Sequence, residues 1–181
     1  VISLITYERI HHYSFSQQSG QTSVSIQLQK AVSQSNYAFA LPIVSANILD
    51  VTVDSFNADT FNTTEYQYRL GATYFPNQSI KDTLTDGIES YLQAAMTYDK
   101  IKHVYAENAV SLADYNSGLG VLAVSLEKDS SMALSGMPVN NSRVLELDAT
   151  FASAPQAREI FVYMNYTSVC KSYVDNTAVA I

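Results

Sequence analysis

Apolar side chains recur at every second position through much of this chain, a period that lines them up on one face of a pleated strand. Thr22 to Lys30 shows it most cleanly, with Val24, Ile26 and Leu28 alternating with serine and glutamine. Such alternation predicts a strand with one buried face. Glu65 to Phe75 repeats the pattern through Tyr66, Tyr68, Leu70, Ala72 and Tyr74. Pro76 cannot donate to a ladder and restricts Phe75 before it, so this strand is expected to end at the Phe75-Pro76 corner. Ile2 to Phe15 is β-branched and aromatic without glycine or proline, and reads as a long strand. Tyr37 to Val44 reads as another, which Pro42 places at an edge or a bend. Ala46 to Asp54 alternates with Leu49, Val51 and Val53 on one register. Leu119 to Glu127 is apolar enough for burial on both faces. Val144 to Leu147 and Arg158 to Ser168 complete the set, and the tail Tyr173 to Ile181 has enough valine and alanine for a short extra strand.

One stretch changes period. Ile88, Tyr91, Leu92, Ala95 and Met96 fall at steps of three and four, which predicts an amphipathic helix with these residues as its apolar stripe. Asp86, three residues before Glu89, is an acidic variant of the capping box at its start. Between Lys102 and Gly118 the pattern is weak, apart from a turn signal at Asp114 to Gly118. The expectation is an all-β fold of eight antiparallel strands, with one α-helix inserted between the sixth and seventh. Strands at this spacing form a sandwich or barrel, and two Greek keys of four strands make a jelly roll. An immunoglobulin sandwich fits less well, because the chain has no tryptophan and no Cys…Trp…Cys core.

Composition bounds the rest. With 181 residues, 47% of them apolar, residues 1–181 suffice for one domain with a full core. Cys170 stands alone, so no intramolecular disulfide forms, which fits a reducing compartment or assembly inside a cell. The chain opens on Val1 without a basic-then-apolar leader, as expected of a fragment, a processed product or part of a longer polypeptide. No window approaches the roughly 20 apolar residues that span a bilayer. A net charge of −7 with scattered lysine and arginine argues against direct binding of nucleic acid.

Candidate chemistry is sparse. His11 and His12 are adjacent on a strand and point to opposite faces, so one metal cannot bind both. Asp50, Asp54, Asn57 and Asp59 lack the glycine and terminal glutamate of a calcium loop. There is no Gly-x-Ser-x-Gly elbow and no phosphate-binding glycine run. Four Asn-x-Ser/Thr triplets begin at Asn62, Asn77, Asn140 and Asn165, as chance allows in a chain rich in serine and threonine. No cofactor, metal or catalytic group is expected, and the reading is of a protein that is not an enzyme. The compositional excess is tyrosine, thirteen residues, a side chain that fills cores and packs interfaces.

The run Tyr66-Gln67-Tyr68-Arg69-Leu70-Gly71-Ala72-Thr73-Tyr74-Phe75-Pro76-Asn77-Gln78 resembles a corner motif of the major capsid proteins of double-jelly-roll DNA viruses, of the polinton-like and virophage kind. Glu89-Ser90-Tyr91 in the helix is similar too, as are Leu126-Glu127-Lys128-Asp129, Leu134-Ser135-Gly136 and Arg143-Val144-Leu145-Glu146-Leu147. Together these cover Glu65 to Leu147. The resemblance implies a helix between the sixth and seventh strands of each jelly roll. It also implies homotrimers that tile an icosahedral shell as pseudo-hexamers, and a place in the virion after assembly inside the host cell. Only one jelly roll is present, and it looks like the second, C-terminal half, so a companion N-terminal segment is an expected partner besides the chain itself. The contact surfaces expected to meet neighbours are Asn57, Ala58, Asp59, Thr60 and Phe61 with Phe75 and Pro76. The alternative reading is a jelly-roll module that binds carbohydrate or a receptor through Asp114, Tyr115, Asn116 and the loop Asn57 to Asp59.

Overall fold

The computed structural model describes residues 3–53, 57–82, 87–101, 110–127, 135–154, 156–172 and 178–180. Its strands are β1 (Ser3–Gln17), β2 (Ser23–Leu28), β3 (Val32–Val44), β4 (Thr63–Leu70), β5 (Thr73–Lys81), β6 (Leu122–Ser125), β7 (Met137–Val139), β8 (Leu145–Phe151), β9 (Arg158–Ser172) and β10 (Ala178–Ala180). One sheet runs β1-β9-β3-β6 and the other β2-β8-β4-β5, every pairing antiparallel. From β1 to β4 the chain changes sheet at every step, β4 and β5 form a hairpin within one sheet, and the chain crosses again at β6, β8 and β9, the connectivity of a jelly roll. β7 pairs β3 and β10 pairs β9, each beyond the stretch its neighbour uses.

The alternation drives the packing. Val24, Ile26 and Leu28 of β2 are buried, and so are Tyr66, Tyr68 and Leu70 of β4 and Leu145, Leu147, Ala149 and Phe151 of β8. They meet Ala38, Ala40, Leu122, Val124, Ile160, Val162 and Met164 from the other sheet in one core. Two tyrosines tie the layers together: the Tyr68 hydroxyl donates to the Leu122 carbonyl at 2.9 Å, and that of Tyr66 donates to Ala123 at 3.2 Å.

Three expectations need correction. Over its described residues, 46–53, the stretch expected as a strand from Ala46 to Asp54 is none: Ser45–Asn47 is a short 3-10 turn, and further turns carry the chain on to Thr52. The Asp50 carboxylate accepts from the Thr52 amide and hydroxyl, offering the backbone a local partner in place of a ladder. Leu49 and Val51 are left outside. Conversely, the expected strand Glu65 to Phe75 is two. Gly71, at φ +61°, turns the chain between β4 and β5, a conformation glycine adopts without strain. Pro76 therefore lies inside β5 and does not end it, at a register irregularity of an edge strand where no ladder donor is required. These two differences cancel in the tally of eight principal strands, but β7 and β10 raise the number to ten among the described residues. The helix α1 (Ile88–Ile101) follows the fifth strand, not the sixth.

Pro42 is explained by the same bookkeeping of partners. β6 pairs β3 only over Tyr37 to Ala40, so at Pro42 one side of β3 carries no partner strand.

Candidate functional site

The expected contact loop is a single 3-10 turn, Asp59–Asn62, leading into β4. Its position is dictated from several directions. The Ala58 amide donates to the Gly118 carbonyl at 2.8 Å, and the Asn62 side-chain amide donates to the Ser153 carbonyl at 2.9 Å. Gly118, at φ +123°, has the Asn57 side chain where any Cβ would stand. Arg158 of β9 donates from Nε to Oδ2 of Asp59 at 2.6 Å, its Nη2 forms an ion pair with the same oxygen at 2.6 Å, and Nη2 donates to the Ser153 carbonyl at 3.0 Å. The guanidinium is 4.8 Å from the Phe151 ring centroid, and Arg158 is only 2% exposed.

This anchoring decides what each expected contact residue can offer. Ala58 and Thr60 are buried within the chain itself, and Asp59 is engaged by Arg158, while Asn57 is exposed. The side chain of Phe61 lies outside the described residues. Phe75 and Pro76 are half-buried on β5, Phe75 leaning on the core and the Pro76 carbonyl accepting from the Gln67 amide. The loop leads into the Thr63 end of β4, whereas Phe75 faces Tyr68, further along that strand.

The helix presents a surface that the sequence pattern assigned to the interior. Its buried face is made of Ser90, Ala94 and Thr97, packed on β6 beside Tyr91 and Tyr115. Ile88, Leu92 and Met96, three members of the expected apolar stripe, are 44%, 51% and 56% exposed. At i, i+4 and i+8 they form one ridge along the outside of α1. At its N-terminus the Ser90 amide donates to Asp82 Oδ1 at 3.3 Å, and Glu89 reaches back to accept from the Lys81 amide at 2.9 Å. Burial pushes the Asp82 carboxyl above the usual carboxylate value, against the pull of those Ser90 hydrogen bonds. Asp86 lies outside the described residues.

The other candidate groups serve the fold. Tyr115 is buried, with its hydroxyl donating to the Val121 carbonyl at 2.6 Å, so it offers no platform to a sugar. His11 contacts Tyr13 edge-on, whereas His12 stacks near Phe161 and Tyr163, on the other face of β1. Asp54 lies outside the described residues. Among the described residues no three His, Cys, Asp or Glu side chains gather as a metal cluster, and no helix is long and apolar enough to cross a membrane. Asn165 is buried, its amide donating to Glu8 at 3.2 Å.

No family model and no curated protein matches this sequence. Solved structures do. The crystal structure of PBCV-1 VP54, as fitted into a cryo-EM reconstruction of the virophage Sputnik, matches over 99% of this chain and 51% of its own, with TM-score 0.59 and 11% identity. A quasi-atomic model of the PBCV-1 virus capsid matches over 99% and 51%, with TM-score 0.52 and 12% identity. The cryo-EM structure of the Sputnik virophage matches over 98% and 39%, with TM-score 0.52 and 13% identity. The chain therefore spans about half the length, or less, of the structures it matches. In fold it is a jelly roll that resembles the double-jelly-roll major capsid proteins.

Proposed function

We propose that this chain is a structural component of a viral capsid, one jelly roll of a tile in an icosahedral shell. It works with copies of itself and a companion jelly roll, in homotrimeric capsomers of pseudo-hexagonal outline. Its role is mechanical, without catalysis, cofactor or direct contact with nucleic acid, and its place is the virion, after assembly inside the host cell. One observation carries the reading: the whole chain, over 98–99% of its length, superposes on the capsid chains of two viruses. The ridge of Ile88, Leu92 and Met96 supports it. Large apolar side chains exposed in a row, on a helix that buries serine and threonine instead, suit a surface covered by a neighbouring jelly roll. Asn57, Phe75 and Pro76 supply further contacts at separate places on the same tile.

Sedimentation and electron microscopy of the chain, purified with a companion jelly-roll segment, test the proposal. Trimeric particles of hexagonal outline are expected. A species that stays monomeric at high concentration would overturn it.

A further inference from the structure

Three polar atoms under the Asp59–Asn62 turn are buried without a hydrogen-bond partner: Nη1 of Arg158, Oε1 of Gln17 and Oγ1 of Thr63. The fold gathers their residues. Gln17 and Arg158 face each other across the β1-β9 ladder, and Thr63 faces Phe151 across β4-β8. The Phe151 ring in turn lies against the Arg158 guanidinium. All three residues are nine-tenths or more buried. Arg158 spends its remaining donors on Asp59 and Ser153, and the Gln17 amide nitrogen donates to the Gln21 carbonyl, which orients its oxygen.

We infer that this end of the sandwich holds one buried water molecule, accepting from Arg158 Nη1 and donating to Gln17 Oε1 and Thr63 Oγ1. Orphan polar atoms in a dry interior are costly, and a water with two to four polar partners is the ordinary remedy. The donor and acceptor types fit that molecule: one N–H to give, one carbonyl oxygen to receive, one hydroxyl able to do either. An anion fits less well, because Asp59 already offsets the arginine charge and the amide oxygen of Gln17 would repel it. The water would join the two sheets at the point where Arg158 clasps the turn, a feature of the fold independent of any role in a shell.

High-resolution diffraction from the 181-residue chain tests this directly. The expected result is a single density peak within about 2.7–3.2 Å of Arg158 Nη1 and Gln17 Oε1. Direct contact between those two atoms would overturn the inference, as would a peak that gives an anomalous signal after bromide soaking. Thr63→Val reads the same question by sign. With the water present the variant loses a hydrogen bond, and Tm falls by about 3 °C. An orphan hydroxyl is better removed, so an unchanged or higher Tm would count against the site.

Discussion

At the scale of single residues, the buried tyrosines carry the most testable chemistry. Tyr68 is fully buried on β4 and donates across the core to the Leu122 carbonyl of β6. Among the described residues β6 is a four-residue strand paired only with β3, so a donor from the opposite sheet adds a partner for its backbone. Tyr68→Phe keeps the ring and removes that donor. Leaving a buried polar group unmatched costs about 1–3 kcal/mol, so thermal unfolding is expected to shift down by several degrees. The same burial pushes the phenols of Tyr66 and Tyr68 well above their ordinary value, and that of Tyr37 up to about 12. A phenol whose folded pKa lies above the unfolded one favours the folded state fully below pH 10. That contribution is lost as pH rises through 10 toward the folded value, because the unfolded chain ionises first. Tm is therefore expected to hold level from pH 7 to about 9.5 and fall beyond. Absorbance of phenolate at alkaline pH should show Tyr66 and Tyr68 ionising only on unfolding, and Tyr37 later than exposed tyrosines. Early ionisation of all thirteen in the folded protein would contradict the packing described.

At the scale of elements, the period of the sequence told what each segment is better than where it faces. β2, β8 and β9 were legible because strict alternation admits one arrangement on a half-buried sheet. α1 was legible as a helix, yet its expected stripe is largely its outer face, since amphipathicity reports an apolar side and not what covers it. Ala94 and Thr97, small enough to bring the helix close to β6, carry little hydrophobic signal. Ala46 to Asp54 failed for a related reason: its alternation was real, but the local hydrogen bonds of Asp50 outweigh a ladder that no neighbouring strand completes. Two substitutions separate the faces of α1. Ala94→Leu forces extra volume between helix and sheet, and is expected to destabilise the fold by about 1–3 kcal/mol in denaturant titration. Leu92→Glu, on the ridge, is expected to leave stability within about 0.5 kcal/mol while abolishing capsomers in sedimentation. The reverse pattern would mean that the ridge packs inward.

At the scale of the whole molecule, connectivity was more legible than the strands that make it. One missing strand and one unnoticed turn cancelled, and the resemblance across Glu65 to Leu147 pointed to the jelly roll that the sheet orders β1-β9-β3-β6 and β2-β8-β4-β5 display. The setting of the expected contact loop was less legible: Ala58, Asp59 and Thr60 read as a polar loop, while Arg158, ninety-nine residues from Asp59, pins it so that Ala58 and Thr60 are buried. On the proposed reading, charge bears on how tiles meet. Each copy of this chain contributes −7 to its tile, a repulsion that burial of apolar ridges would have to overcome. Salt shortens the reach of the repulsion, to about 10 Å at 0.1 M and about 3 Å at 1 M, without weakening apolar contact. Assembly is therefore expected to strengthen between about 0.1 and about 1 M sodium chloride, read as a rising fraction of capsomers by sedimentation. A tile held to its neighbours by ion pairs, or gathered on nucleic acid, would behave in the opposite sense, its assembled fraction falling with each addition of salt.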